Sequence, residues 1–406
     1  MTSARKSCLR GTHRAVAPAE TLARIRPRFA RVGITRVADV TGLDRIGIPV
    51  AMAHRPDSRS VSVSPGKGLD LDAARVSAAM EALEGWHAEH VIRPVVYASR
   101  ADLPQHQHVI DLDALPRVSA RVFDPHLALP WIDGRDLFAG RSVMLPFELV
   151  HTRFTHPLVP SSGAFALTSN GLASGNVPFE ALAHAICEVI ERDAVSLWRA
   201  GGARSLGATA IDLATIDDGD CREVIARFHD AGVEVAAWDA TCDTGVATFV
   251  CEVAERAGDQ HRPFLPGFGS GTHPRRAIAL LRALTEAAQT RLTTIAGARD
   301  DLRVAQYLRA LDETQRAAAL ARIATPPTRS FSRSPDAHHD DFDGDVAWLL
   351  DRLSEVGVRQ VVAVDLARAD VGIPVVRVVI PGLEGPSDAP GVLPGARRRR
   401  ALSEAS

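Results

Sequence analysis

With 406 residues, the chain is too long for one ordinary core of about 150 residues but long enough for an elaborate domain or for two to three lobes. Hydrophobic residues at 46% and charged residues at 24% exclude a disordered chain, and a formal net charge of −2 gives no reason to invoke nucleic acid as a partner. Of the 47 basic residues only Lys6 and Lys67 are lysines, so arginine has replaced lysine almost everywhere.

The N-terminus is polar and arginine-rich and lacks a signal-peptide core, and no stretch approaches the ~20 apolar residues that span a bilayer. The chain is expected in the cytoplasm, without membrane contact. Five widely spaced cysteines, Cys8, Cys187, Cys221, Cys242 and Cys251, show neither the close pairs of zinc sites nor a secreted disulfide framework, so reduced thiols are the expectation.

In chain order, residues 1–60 read as a helix from Thr21 to Phe29 and then a β-branched extended segment. Ser60 to Val63 alternates like a strand entering the turn Pro65-Gly66-Lys67-Gly68, and a helix runs from about Leu71 to His90. Over residues 91–168 proline and short apolar runs alternate, which predicts strands and ordered loops. SNGLASGN, residues 169–176, is a glycine loop feeding a helix over 178–200, with Pro178 in the first turn. After a helix over 221–231 and strands over 233–238 and 246–253, a second glycine loop, GFGSGTHP, opens a helix over 275–296. Residues 303–345 read as a helix and then a polar, acidic stretch, followed by a helix over 346–356 and strands over 360–365 and 375–380. Residues 61–382 form the expected catalytic core, and residues 383–406, with the run Arg397 to Arg400, read as a disordered basic tail. Two further motifs read as structural: His87-Ala88-Glu89-His90 lacks zinc spacing, and Asp336 to Asp345 lacks the bidentate Glu of a calcium loop and reads as a solvated linker.

Three helices carry polar residues spaced i, i+4, i+7 and therefore stacked on one face: Ser77, Glu81 and Glu84; His184, Glu188 and Glu191, followed by Arg192; Arg282, Glu286 and Gln289. Any one stripe is compatible with a solvated face. Together, on helices rich in Ala and Leu, they point to a shared polar cavity. Carboxylates facing one cavity repel, and burying them unpaired costs several kcal/mol each, so they need cations. Mg²⁺ suits them, since it takes one or two carboxylates and completes its shell with water and phosphate. The loops SNGLASGN, GFGSGTHP and PGKG would let backbone N–H groups approach phosphate, although no Walker loop or kinase motif set is present. Lys67, retained between two glycines, is a candidate ATP contact that needs a compact ammonium.

SNGLASGN with Glu180 and CEVIERDA resembles the central signature of YcaO-domain proteins. GKG with Ser77-x-x-x-Glu81-x-x-Glu84 resembles their first signature and Arg282-x-x-x-Glu286-x-x-Gln289 their third, so the resemblance spans roughly residues 10–382. It implies an α/β fold (mixed α+β) with a mixed sheet and helices lining an ATP and Mg²⁺ cleft. It further implies Glu81, Glu84, Glu188 and Glu191 as Mg²⁺ ligands, and Ser77, Asn176, Glu180, Arg192, Arg282 and Glu286 as ATP contacts. Arg14 and Thr21 align by spacing with a basic residue and a hydroxyl that reach the phosphates. Two departures stand out: Gly85 replaces the arginine that many members place directly after the first Glu pair, and the alternating prolines that end azoline-forming members are absent.

CLRGTHRAVAPAET, TRVADVTGLDRIGIPV and Trp86-His87-Ala88-Glu89 are similar to the subgroup that works with a TfuA-type partner. The implied activity is ATP-dependent activation of backbone amides in a precursor peptide or protein. With sulfide as nucleophile the product is a thioamide; with a neighbouring Cys, Ser or Thr it is an azoline. A small-molecule kinase or ligase sharing the ATP site, and a non-catalytic peptide-binding scaffold, are the rival readings. A homodimer is compatible with the sequence.

Overall fold

The computed structural model describes residues 5–7, 9–118, 122–255, 266–310, 312–385 and 391–405; Cys8 lies outside them. Helix α1 (Pro18–Ile25) starts on a proline with Glu20 in its first turn, as helices favour. Strands β1 (Arg36–Asp39), β2 (Val50–His54) and β3 (Val63–Lys67) form an antiparallel meander, so the segment before residue 60 supplies two of its three strands. Asp70 caps helix α2 (Leu71–Glu89) by accepting from the Ala73 N–H.

β4 (Val95–Ala98), β5 (Leu129–Asp136), β6 (Ser142–Pro146) and β7 (Leu172–Ser174) then lead into helix α3 (Pro178–Ala200). After α4 (Gly202–Thr209), β8 (Ile211–Asp212) and α5 (Gly219–Asp230), a second meander forms from β9 (Val233–Asp239), β10 (Thr248–Glu255) and β11 (Gly267–Thr272). It feeds α6 (Arg276–Ala296). Beyond it come α7 (Val304–Ala310), α8 (Glu313–Ile323), β12 (Arg329–Ser330), α9 (Phe342–Glu355), β13 (Val362–Asp365), β14 (Val375–Val379) and α10 (Ala396–Ala405). The third sheet has the order β4-β5-β13-β14-β7, with β6 also on β5. Pairing is antiparallel throughout except for the short β8–β12 pair, which is parallel.

The glycine-rich segments PGKG, as far as Lys67, and GFGSGT are not loops. They are the strands β3 and β11, packed directly on α2 and α6. A Cβ on Gly66 would stand 2.0 Å from the Ala78 nitrogen and 2.4 Å from the Ala74 oxygen. Gly267, Gly269 and Gly271 share one face of β11, and a Cβ on each would come within 2.3 Å of the Ala287, Ala283 and Ala279 oxygens respectively. A strand repeat of two meets a helix repeat of four, and glycine facing alanine brings the backbones together. In SNGLASGN, Gly171 has φ 78° and a Cβ there would lie 2.2 Å from the Val378 oxygen, so this glycine too serves close packing.

The expected disordered tail is also corrected. Residues 396–405 form α10, whose N-terminus is capped by the Glu384 carboxylate through the Gly395 and Arg398 N–H groups. Arg397 makes a bidentate pair with buried Asp193 of α3 at 3.0 and 2.9 Å and also reaches Asp243. A run of arginines resembles a solvated tail until one of them meets a buried carboxylate. The acidic run before α9 is likewise built in: Asp341 caps that helix, and Asp345 is buried against Lys6 at 2.7 Å and His339 at 3.0 Å. His87 and His90 hold helix carbonyls, as their structural reading expects. No helix among the described residues is long and apolar enough to cross a membrane.

Candidate functional site

The polar stripes of α2, α3 and α6 face one cavity of about 860 Å³, and all thirteen residues expected from the sequence to meet Mg²⁺ or ATP line it. On α2, Ser77, Glu81 and Glu84 project from a helix whose other faces are alanine, Leu83 and Trp86 in the core. Glu84 Oε1 accepts from both the Ser174 N–H at 2.8 Å and its hydroxyl at 2.7 Å, which ties the stripe to β7. On α3, Glu191 Oε1 accepts from the Ser270 hydroxyl at 2.8 Å, and Arg192 Nη1 lies 3.7 Å from the same oxygen. On α6, Glu286 pairs with Lys67 Nζ at 2.7 Å, and Gln289 donates to the Pro65 carbonyl at 2.9 Å.

The turn from β7 into α3 forms another part of the lining. Asn176 Oδ1 lies 2.9 Å from Thr21 Oγ1 and accepts from Arg24 at 2.7 Å. Buried Glu180 accepts from the Asn176 and Ala15 N–H groups, both at 3.2 Å, and Arg14 Nη1 stands 3.5 Å from its other oxygen. Glu180 thus fastens the N-terminal segment to the start of α3. Ser174 and Ser270 were missed as individual residues although each sits inside a glycine motif. Arg24 and Arg299 carried no sequence signal, being single arginines in an arginine-rich chain.

Electrostatically the lining divides. Burial pushes the carboxyl of Glu81 up to about 7 and that of Glu84 to about 8, with repulsion from Glu188 adding to both. Glu81 is open to cavity water, yet protein surrounds it on all sides, which is the source of this desolvation. Burial also raises Glu188. Burial pushes Glu286 the same way, but the neighbouring Lys67 outweighs it and holds that carboxyl below the usual range. His184 is kept neutral by burial and by the charges of Arg282, Arg14 and Lys67.

Among the described residues, no three of the stripe carboxylates form a tight cluster of ligand atoms. They surround a space rather than a point, as suits ions that take one or two carboxylates each and draw the rest of their shell from water and phosphate. Oxygen-only donors, with Glu81, Glu84 and Glu188 raised by burial, fit a hard divalent cation. The one His/Cys/Asp/Glu group with tight spacing among the described residues, His13, His273 and Asp345, is a poor metal site: Asp345 already holds Lys6 and His339, and His273 Nδ1 accepts the Arg275 N–H.

The family model described as YcaO cyclodehydratase, ATP- and Mg²⁺-binding, matches residues 65–384. A protein described as uncharacterised, in the tfuA 3′ region of Rhizobium leguminosarum bv. trifolii, is 37% identical over 378 residues, 91% of this chain and 88% of its own. An uncharacterised protein of Methanothermobacter thermautotrophicus is 38% identical over 382 residues, 91% of this chain and 94% of its own. Among solved structures, YcaO from Methanopyrus kandleri bound with AMPPCP and Mg²⁺ superposes with a TM-score of 0.73 at 24% identity, covering 94% of each chain. A heterocyclase in complex with substrate and cofactor gives 0.77 at 22% identity; it covers 94% of this chain, which spans about half (54%) of the heterocyclase. The structural likenesses carry the fold, and the matched family model carries membership: this chain belongs to the ATP- and Mg²⁺-binding YcaO family.

Proposed function

We propose that this enzyme uses ATP and Mg²⁺ to activate a backbone amide in a ribosomally made peptide or protein, and that its product is a thioamide made with a TfuA-type partner. The observation that carries the reading is the convergence of three helical stripes on one cavity. Thioamide formation is favoured over azoline formation by the relative in the tfuA 3′ region.

In this reading Glu81, Glu84, Glu188 and Glu191 hold Mg²⁺, which when bound neutralises phosphate charge. Arg14, Lys67, Arg192 and Arg282 supply fixed positive charge for the triphosphate, while Thr21, Ser77, Asn176, Glu180 and Glu286 shape and orient the pocket. A sulfide nucleophile adds to the amide carbon and the carbonyl π pair moves to oxygen. That oxyanion attacks the γ-phosphorus; the new O–P bond forms as the bond to the β,γ-bridging oxygen breaks, and ADP leaves with the electron pair. Loss of a proton from sulfur and departure of phosphate, carrying the former amide oxygen, then close the C=S bond. The protein's part is to position both substrates and to exclude water from the phosphorylated intermediate.

The test incubates enzyme, ATP, Mg²⁺, a sulfide source and the peptides encoded beside its gene, and reads intact mass. A gain equal to sulfur minus oxygen supports the reading, loss of one water shows an azoline, and ATP hydrolysis without peptide modification supports a small-molecule kinase or ligase. Glu188→Gln and Glu191→Gln should each abolish ATP turnover while leaving circular dichroism unchanged. Turnover with normal Mg²⁺ dependence in both variants would overturn the metal assignment.

A further inference from the structure

The cavity extends beyond the residues that resemble the family signatures. From Arg282 the lining continues along the same face of α6 through Gln289 to Thr293 and Thr294, about 18 Å along the helix axis at 1.5 Å per residue. It ends on Arg299 and Leu302, in the loop that follows the helix, and Thr152 and Phe154 also line the cavity. None of these end residues belongs to a signature.

The loop that carries Arg299 is built to present it. Gly297 ends α6 in the left-handed conformation, φ 60°, with its N–H bonded to the Thr294 carbonyl. Asp301 grips the guanidinium through Nε at 2.7 Å and through Nη2, and Asp300 accepts from the Ser62 N–H at 3.4 Å, lashing the loop to the segment before β3. That grip leaves Nη1 without a hydrogen bond among the described residues.

Arg282, whose buried Nε has no hydrogen-bond partner among the described residues, is assigned above to the triphosphate, and three other cations of the lining are engaged within the protein. Lys67 pairs with Glu286, and Arg14 stands against Glu180. Arg55 gives Nε to the Val32 carbonyl, Nη1 to the Ala82 carbonyl and Nη2 to Glu89. Arg299 is instead held by one carboxylate, has a donor to spare, and senses the charge of Glu81. A planar guanidinium fixed on one side and open on the other suits a phosphoryl group better than a neutral ligand.

We propose that Arg299 binds the phosphoryl group in transit, at the end of the cavity away from Arg14 and Glu180. The inference rests on the phosphoryl transfer proposed above. As the amide oxygen bonds to the γ-phosphorus and the electron pair of the broken bond leaves with ADP, Arg299 donates to the phosphoryl oxygens and afterwards to released phosphate.

Inorganic phosphate is the probe, added to the full chain already saturated with Mg²⁺ and ADP, with melting temperature as the readout. In the wild type, phosphate should raise melting above the Mg²⁺·ADP value. Arg299→Ala should lose that increment and keep the Mg²⁺·ADP shift, Arg299→Lys should recover part of it, and peptide-dependent ADP release by Arg299→Ala should fall on the order of 10²-fold. Arg299→Gln serves if the alanine variant does not fold. A wild-type phosphate increment in either neutral variant, or none in the wild type, overturns the proposal. Loss of the Mg²⁺·ADP shift in the variants would move Arg299 to the nucleotide and also overturn it. Absence of a Mg²⁺·ADP shift in the wild type would overturn the nucleotide reading itself, and Arg299 with it.

Discussion

Lys67 and Lys6 are the chain's two lysines, and both make ion pairs of 2.7 Å with carboxylates, Glu286 and Asp345. Lysine persists where a compact ammonium must fit a partly enclosed pocket, which a bulkier, planar guanidinium cannot do. Lys67→Arg should therefore cost roughly tenfold or more in ATP turnover, about 1.4 kcal/mol, although the charge is kept. Wild-type turnover would show that lysine at this position is incidental. The residue-level site was legible because i, i+4, i+7 spacing survives folding unchanged, so Glu81 with Glu84 and Glu188 with Glu191 had to share their helix faces. Arg299 was not legible, because its place depends on a loop whose anchors, Asp301 and Ser62, follow no periodic pattern.

At the scale of elements, the helices expected over 71–90, 178–200 and 275–296 end within a residue of Leu71–Glu89, Pro178–Ala200 and Arg276–Ala296. Helical periodicity, Asp70 as a cap and Pro178 at the start supply signals that are local and strong. β3 and β11 failed for the opposite reason. Their burial is achieved by glycine, which carries no hydrophobic signal, so a packed strand looks like a loop. Gly269→Ala tests this directly: its Cβ would lie 2.1 Å from the Ala283 oxygen and 2.5 Å from the Ala287 nitrogen, both backbone atoms. The expected loss is about 1–3 kcal/mol or more by denaturant melts, whereas Gly207→Ala on α4, with nothing within 4 Å, should be neutral or slightly stabilising. Equal effects would return GFGSGT to the loop reading. The tail was misread because Arg397 and its partner Asp193 are far apart in sequence, and composition says nothing of such pairs.

For the whole molecule, the lining couples stability to ligand and pH. The folded protein without cations holds protons on Glu81 and Glu84 that the unfolded chain releases near 4.5. Their contribution is full below 4.5 and is lost as pH rises through about 7 and 8, so melting without Mg²⁺ should fall across that window. Mg²⁺ with ATP should flatten the slope and, at 100 times the dissociation constant, add about 2.7 kcal/mol. A Glu81→Gln/Glu84→Gln variant should lose both effects, and a wild-type shift in that variant would make the α2 stripe a mere solvated face. The close packing of glycine on alanine carries one more consequence. Gly66 meets Ala74 and Ala78 as Gly271 meets Ala279 and Ala283, each at the end of a three-stranded antiparallel meander that leads into a helix. The same separation along the chain carries Ser77 onto Arg282, Glu81 onto Glu286 and Glu84 onto Gln289. The cavity is thus flanked by two copies of one scaffold that differ in charge at two of these three positions. Backbone geometry alone would leave a triphosphate no preferred way to lie between them; under the proposed assignment the two differences, Ser77 against Arg282 and Glu84 against Gln289, give it a metal-held edge toward α2 and an arginine-held edge toward α6.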